Sequence, residues 1–296
     1  MTSDNLLNTL SIKVSNNEII KLILSNKPFM VTRTSLGGEI FISALYKLNK
    51  PFNEHFLYML SNNAGIYFKE QQDVKLYADM YCKSLNNSDL IAVFNHLSYI
   101  NYQKAIIPNN KILLHNRALE PFYICESRES IPWTHFLKGK KVLIIHPFVD
   151  SFQKQINNNF NIFGNNTSKF LFHKEQEFIF YKPFMTHGGI HIHNSWKETF
   201  DIMCNDIFNL DFDIALLGCG GYGVPLCNFI RTQLNKSSIY IGGGLQLMFG
   251  IMGKRWENND FWNKIKNEYS PNFIKPSEDE QLPNNGGNKI ENNCYW

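Results

Sequence analysis

Two glycine-rich runs and one histidine turn carry the residue types best suited to chemistry. The first run, Gly218-Cys219-Gly220-Gly221-Tyr222-Gly223, follows an apolar stretch at 213–217 (DIALL) and leads into helical periodicity over 224–234, with Pro225 in its first turn. Glycines let a backbone come close to a ligand, and free N–H groups at a helix start favour phosphate. A tight strand-to-helix turn needing positive φ would select the same residues. The second run, Gly242-Gly243-Gly244-Leu245-Gln246, continues to Gly253-Lys254-Arg255-Trp256. Lys254 and Arg255 suit a diphosphate, and Trp256 suits stacking on a base or a sugar face. The plainer structural reading of 245–251 is a buried helix followed by a basic cap. The turn His146-Pro147-Phe148-Val149-Asp150-Ser151 ends another apolar stretch. There His146 is a candidate base, and Asp150 and Ser151 are candidate hydrogen-bonding groups at a helix start. His146 reads equally well as a structural residue.

These residues need a scaffold that gathers them. Continuously apolar runs at 89–94, 141–145, 213–217 and 238–241 read as buried parallel strands, and 29–34 as a further strand. Helical spacing fills the intervals: after a capping box at Ser15 and Glu18, over 39–48, 53–61 and 72–85, and from a second capping box at Ser195 and Glu198. Strands alternating with helices predict an α/β fold, a Rossmann-like parallel sheet with helices on both faces. Ligands of such sheets bind outside the carboxyl ends of the strands, where all three chemical segments fall. Asn-rich stretches at 157–166 and 284–293 read as loops. Residues 1–270 read as one domain and 271–296 as a tail.

Composition narrows the function classes. Hydrophobic residues make up 44% of the 296 and charged residues 19%, enough for a sizeable core. A net charge of +3 without a dense basic run leaves no nucleic-acid footprint. No apolar stretch approaches the roughly 18–20 residues that span a bilayer. The N-terminal residues lack a signal-peptide pattern, so a cytoplasmic protein is expected. The six cysteines form no C-x-x-C pair, which predicts buried thiols and neither a zinc ribbon nor disulfides. His187, His191 and His193 fall within seven residues. On an extended backbone His191 and His193 would share a side and a metal, but with no cysteine nearby the stretch reads as a solvated loop. Gly218-x-Gly220-x-x-Gly223 matches the dinucleotide fingerprint. Yet the position about 20 residues on, where a ribose-binding acid belongs, holds glycines. An NAD(P)- or other nucleotide-binding enzyme is thus the alternative.

The stretches LLGCGGYGVPLCNFI and YIGGGLQLMFGIMGKRW do not stand alone. With Thr32-Arg33-Thr34-Ser35-Leu36-Gly37-Gly38-Glu39, Asn62-Asn63-Ala64-Gly65, Glu120-Pro121-Phe122-Tyr123 and KKVLIIHPF, they resemble a bacterial and viral group of proteins from surface-polysaccharide loci. That group in turn looks like glycosyltransferases of the GT-D fold type, and the resemblance covers most of residues 29–256. It implies transfer of a sugar from a nucleotide-sugar donor to a hydroxyl of a surface glycan or its lipid-linked precursor. The enzyme would work in the cytoplasm, peripheral to the inner membrane. The resemblance adds Arg33 and Asn63 to the ligand-site candidates and makes Glu39 a candidate base or metal ligand. GT-D enzymes hold a divalent metal with an Asp-x-Glu. Here Gly37 stands in place of the Asp, so Glu39 is the single carboxylate left for Mg²⁺ or Mn²⁺. Gly218, Gly220, Gly221, Tyr222, Gly223, Gly243, Gly244 and Gln246 would form the donor cradle, and Lys254, Arg255 and Trp256 its cationic and stacking wall. A degenerate binding module on the same fold is the remaining alternative.

Overall fold

Aliphatic runs without polar alternation can be buried only between two layers, and the strands lie there. The computed structural model describes residues 6–125, 130–158, 171–173, 175–269, 272–282, 290 and 294–296. Its strands are β1 (Met30–Arg33), β2 (Leu90–Val93), β3 (Ile112–His115), β4 (Lys141–Ile145), β5 (Glu177–Tyr181), β6 (Ile214–Leu217) and β7 (Ser237–Tyr240). They form one seven-stranded sheet in the order β3-β2-β1-β7-β6-β4-β5. Every pairing is parallel. The centre is the contact of β1 with β7, where Val31 lies opposite Ile239.

Helices cover both faces. They are α1 (Ile12–Leu24), α2 (Glu39–Lys47), α3 (Glu54–Asn62), α4 (Gln71–Asn87), α5 (Leu97–Ile106), α6 (Phe122–Cys125), α7 (Val149–Asn157), α8 (Trp196–Phe208), α9 (Gly223–Thr232), α10 (Leu245–Met248), α11 (Lys254–Glu257) and α12 (Asp260–Tyr269). Leu143, Ile145, Ala215 and Leu217 pack with α2, α4, α8 and α9. Their strand neighbours Val142, Ile144, Ile214 and Leu216 pack with α1, α7, α10 and α12. The alternation of side chains along a strand thus feeds two cores. Among the described residues, no helix is long and apolar enough to cross a membrane. Cys82, Cys204, Cys219, Cys227 and Cys294 are buried free thiols.

Several expectations need correction. Helix α1 starts before the expected capping box: Ser11, in an extended conformation, accepts the Val14 N–H. Ser15 is buried inside the helix, where its hydroxyl accepts the His115 N–H at 3.0 Å and ties α1 to β3. The Ser195 cap does form, accepting the Glu198 N–H at 3.1 Å, and Glu198 answers by accepting the Asn194 N–H. Strands β3 and β5 were not expected. They are the two edges of the sheet and are only partly buried. Of the segment read as a tail, Leu282, Ile290 and Trp296 are buried in the same core as α12. The expected loops at 157–166 and 284–293 lie outside the described residues except for 157, 158 and 290.

Candidate functional site

A cleft of about 420 Å³ opens at the carboxyl ends of the strands. That is an ordinary size for a small-molecule site, roughly 300–1,000 Å³. Six strands deliver a residue to it at or just past their last position: Arg33, Phe94, Asn116, His146, Gly218 and Tyr240. The turn after β1 and the start of α2 add Gly37 and Glu39, and Asn63 arrives from the end of α3. From the chain beyond β7 come Gly243, Gly244, Gln246, Arg255 and Trp256. The structure therefore gathers most of the candidate residues in one place.

Six candidates are not among the residues lining the cleft: Asp150, Ser151, Gly221, Tyr222, Gly223 and Lys254. Asp150 is exposed and pairs with Lys182 at 2.6 Å. Ser151 is fully buried and bonds Glu280, so both residues anchor the segment around Glu280. Lys254 is exposed; its backbone N–H donates to the Trp296 carbonyl at 3.1 Å. Tyr222 is buried, its hydroxyl bonded to Thr186 at 3.2 Å.

The glycine runs also serve packing and turn geometry. A Cβ on Gly223 would overlap the Tyr240 ring, and one on Gly242 would overlap the Arg33 guanidinium. A Cβ on Gly244 would lie 2.7 Å from the Glu120 carboxylate. At Gly223 the missing Cβ admits a side chain that itself reaches the cleft, whereas Gly220 and Gly242 also need glycine for their left-handed backbone, with φ of 58° and 73°. Backbone exposure to a ligand remains at Gly218, Gly220, Gly243 and Gly244, which line the cleft.

Charge in the cleft is balanced between two guanidiniums and two carboxylates. Arg33 is half-buried, 5.4 Å from the centre of the Phe94 ring, and its Nε has no hydrogen-bond partner among the described residues. Arg255 lies 4.6 Å from the centre of the Tyr295 ring and 5.7 Å from that of Trp256. Burial lifts the Glu120 carboxyl above its ordinary range, while Arg33, Arg117 and Arg255 pull it back. Glu39 is 2% exposed and stands in the first turn of α2, where the helix dipole favours a carboxylate. Burial first, and then the Glu39 charge, hold the Tyr77, Tyr81 and Tyr240 hydroxyls firmly protonated. Tyr240 and Tyr77 donate to the carbonyls of Gly220 and Gly221 at 3.0 and 2.8 Å and so fix the first glycine turn.

The two histidines that line the cleft, His146 and His187, are neutral. Burial pushes His146 down to about 3, and its Nδ1 accepts the Phe148 N–H at 3.0 Å. The remaining nitrogen then carries the proton, so His146 is set to donate to a ligand rather than to act as a base. His187, read from the sequence as solvated, is half-buried and lines the cleft, where a Cβ on Gly220 would overlap its ring. Burial holds it at about 4. His191 instead stacks on Tyr67, and His193 bonds Thr199 at 2.9 Å. Among the described residues no group of three or more His, Cys, Asp or Glu side chains could hold a metal ion. At Glu39 the neighbouring position 37 is so close that a Cβ would sit 3.1 Å from Oε2, yet glycine supplies no second carboxylate there. Mg²⁺ or Mn²⁺ requires several oxygen ligands, and this donor set does not fit one.

Sequence reasoning left Glu120, His187, Tyr240 and Tyr295 out of the site. Tyr240 lies two residues before the second glycine run and Glu120 opens the Glu120-Pro121-Phe122-Tyr123 motif, so position offered a hint for these two. His187 and Tyr295 come from segments with no strand-end signal. No family model, curated protein or solved structure matches the chain.

Proposed function

We propose that the protein is a glycosyltransferase that moves a sugar from a nucleotide-sugar donor to a hydroxyl of a glycan or its lipid-linked precursor. One observation carries this reading: two guanidiniums distant in sequence, Arg33 and Arg255, enter one strand-end cleft that also holds the buried carboxylate of Glu39. The acceptor oxygen attacks the anomeric carbon, and the bond from that carbon to the diphosphate oxygen breaks. The electron pair leaves on the diphosphate, where Arg33 and Arg255 stabilise the growing charge. The hydroxyl proton passes to Glu39. His146 offers an N–H to a ligand oxygen, and Trp256 offers a face for a ring.

A thermal-shift comparison tests the reading. UDP-, GDP- or CMP-sugars should raise the melting temperature, whereas NAD(P) and acyl-CoA should not. Arg255→Ala should keep the fold and lower kcat/KM with the stabilising donor by about 100-fold. Stabilisation by NAD(P) alone would replace this reading with a dinucleotide enzyme, and wild-type turnover in Arg255→Ala would refute the role of the cations.

A further inference from the structure

Arg255 reaches the cleft from α11, a helix too short to fix a long side chain by itself. The segment bearing residues 294–296 does so instead. The Cys294 carbonyl accepts the Arg255 backbone N–H at 2.9 Å. At the far end, the guanidinium donates to the Tyr295 hydroxyl at 3.3 Å and to Cys294 Sγ at 3.2 Å, with the Tyr295 ring beneath it. Two glycines make room for this arrangement. A Cβ on Gly243 would come 2.6 Å from the Tyr295 ring, and one on Gly253 would overlap the Tyr295 carbonyl. Gln246, fully buried, donates its amide to that same carbonyl at 3.2 Å. Tyr295 and Trp296 also line the cleft.

We propose that Tyr295 is a positioning residue: it holds the Arg255 guanidinium in the plane and place where it meets the diphosphate of a phosphorylated ligand. The inference rests on the nucleotide-sugar reading of the cleft. A guanidinium gives two parallel hydrogen bonds to a phosphate only when its plane is set. A free arginine would lose rotamer freedom on binding, whereas one already resting on a ring and tied at both ends has little left to lose.

The test is titration calorimetry of inorganic pyrophosphate into the full chain, with each variant's melting curve checked first. Tyr295→Ala should weaken binding about tenfold and Arg255→Ala at least as much. The double variant should be no worse than Arg255→Ala, because Tyr295 acts only through that residue. Tyr295→Phe keeps the ring under the guanidinium and should lose about threefold or less. If Tyr295→Ala does not fold, Gly243→Ala moves the same ring with a single methyl and should reproduce the loss. Additive losses in the double variant, or undiminished binding in Tyr295→Ala, overturn the inference and leave the proposed function standing. Absence of pyrophosphate binding by the wild type removes both.

Discussion

At Gly223 the whole side chain is missing because Tyr240 fills its place. The ring is buried, and its hydroxyl is tied to the Gly220 carbonyl, so it has no direction in which to yield. Gly223→Ala should therefore destabilise the fold by about 1–3 kcal/mol, as overpacking does, measured by urea denaturation. A wild-type midpoint would show that the ring can move. The position was legible as a glycine turn at a strand end; the reason for it was not. A pattern such as Gly-x-Gly-x-x-Gly records that a Cβ is forbidden, but the group that forbids it comes from another strand. At Gly242 the left-handed backbone, with φ of 73°, asks for glycine as a strand-end turn does, and Arg33, far back in the sequence, also occupies the place of a Cβ.

Among the elements, α7 depends on a distant carboxylate. Glu280 is fully buried and accepts the N–H groups of Asp150 and Ser151 at 2.9 and 3.1 Å, satisfying donors that the first turn cannot pair internally. Glu280→Ala should cost about 2–3 kcal/mol, the usual worth of hydrogen bonds to a charged group. It should also speed proteolysis around 272–282. Unchanged stability would mean that water replaces the carboxylate without loss. The sequence showed Asp150-Ser151 at a helix start and suggested a ligand there; the partner is the protein's own chain. Strands β2, β4 and β6 were readable because burial on both sides favours unbroken aliphatic runs. Edge strands β3 and β5 were not read: β3 offers only the short run Ile112-Leu113-Leu114, and β5 mixes aromatic residues with Glu177.

Taken whole, the molecule responds to acid through two imidazoles that it holds uncharged, His146 buried and His187 half-buried. His146 sits at about 3 and His187 at about 4 in the folded chain, whereas an unfolded imidazole titrates near 6.5. Below that value the unfolded chain takes up protons that the folded one refuses. Their contribution is therefore present above about pH 6.5 and is lost as pH falls toward the folded values, at up to about 1.4 kcal/mol per pH unit for each ring. Urea midpoints measured from pH 7 to 4 should decline, and His146→Asn should make the decline shallower. An identical slope in that variant would sink the assignment. The sheet's topology has a consequence of its own. Its first three strands lie on one side of the β1–β7 contact and its last four on the other, so the centre zips shut only when the earliest and latest strands meet. A nascent chain that stops short of β7 owns Arg33 but not Arg255, half a grip. If both arginines hold the proposed donor, it would act as a rivet through that central join, and its affinity would oppose unravelling of the entire sheet rather than of one loop.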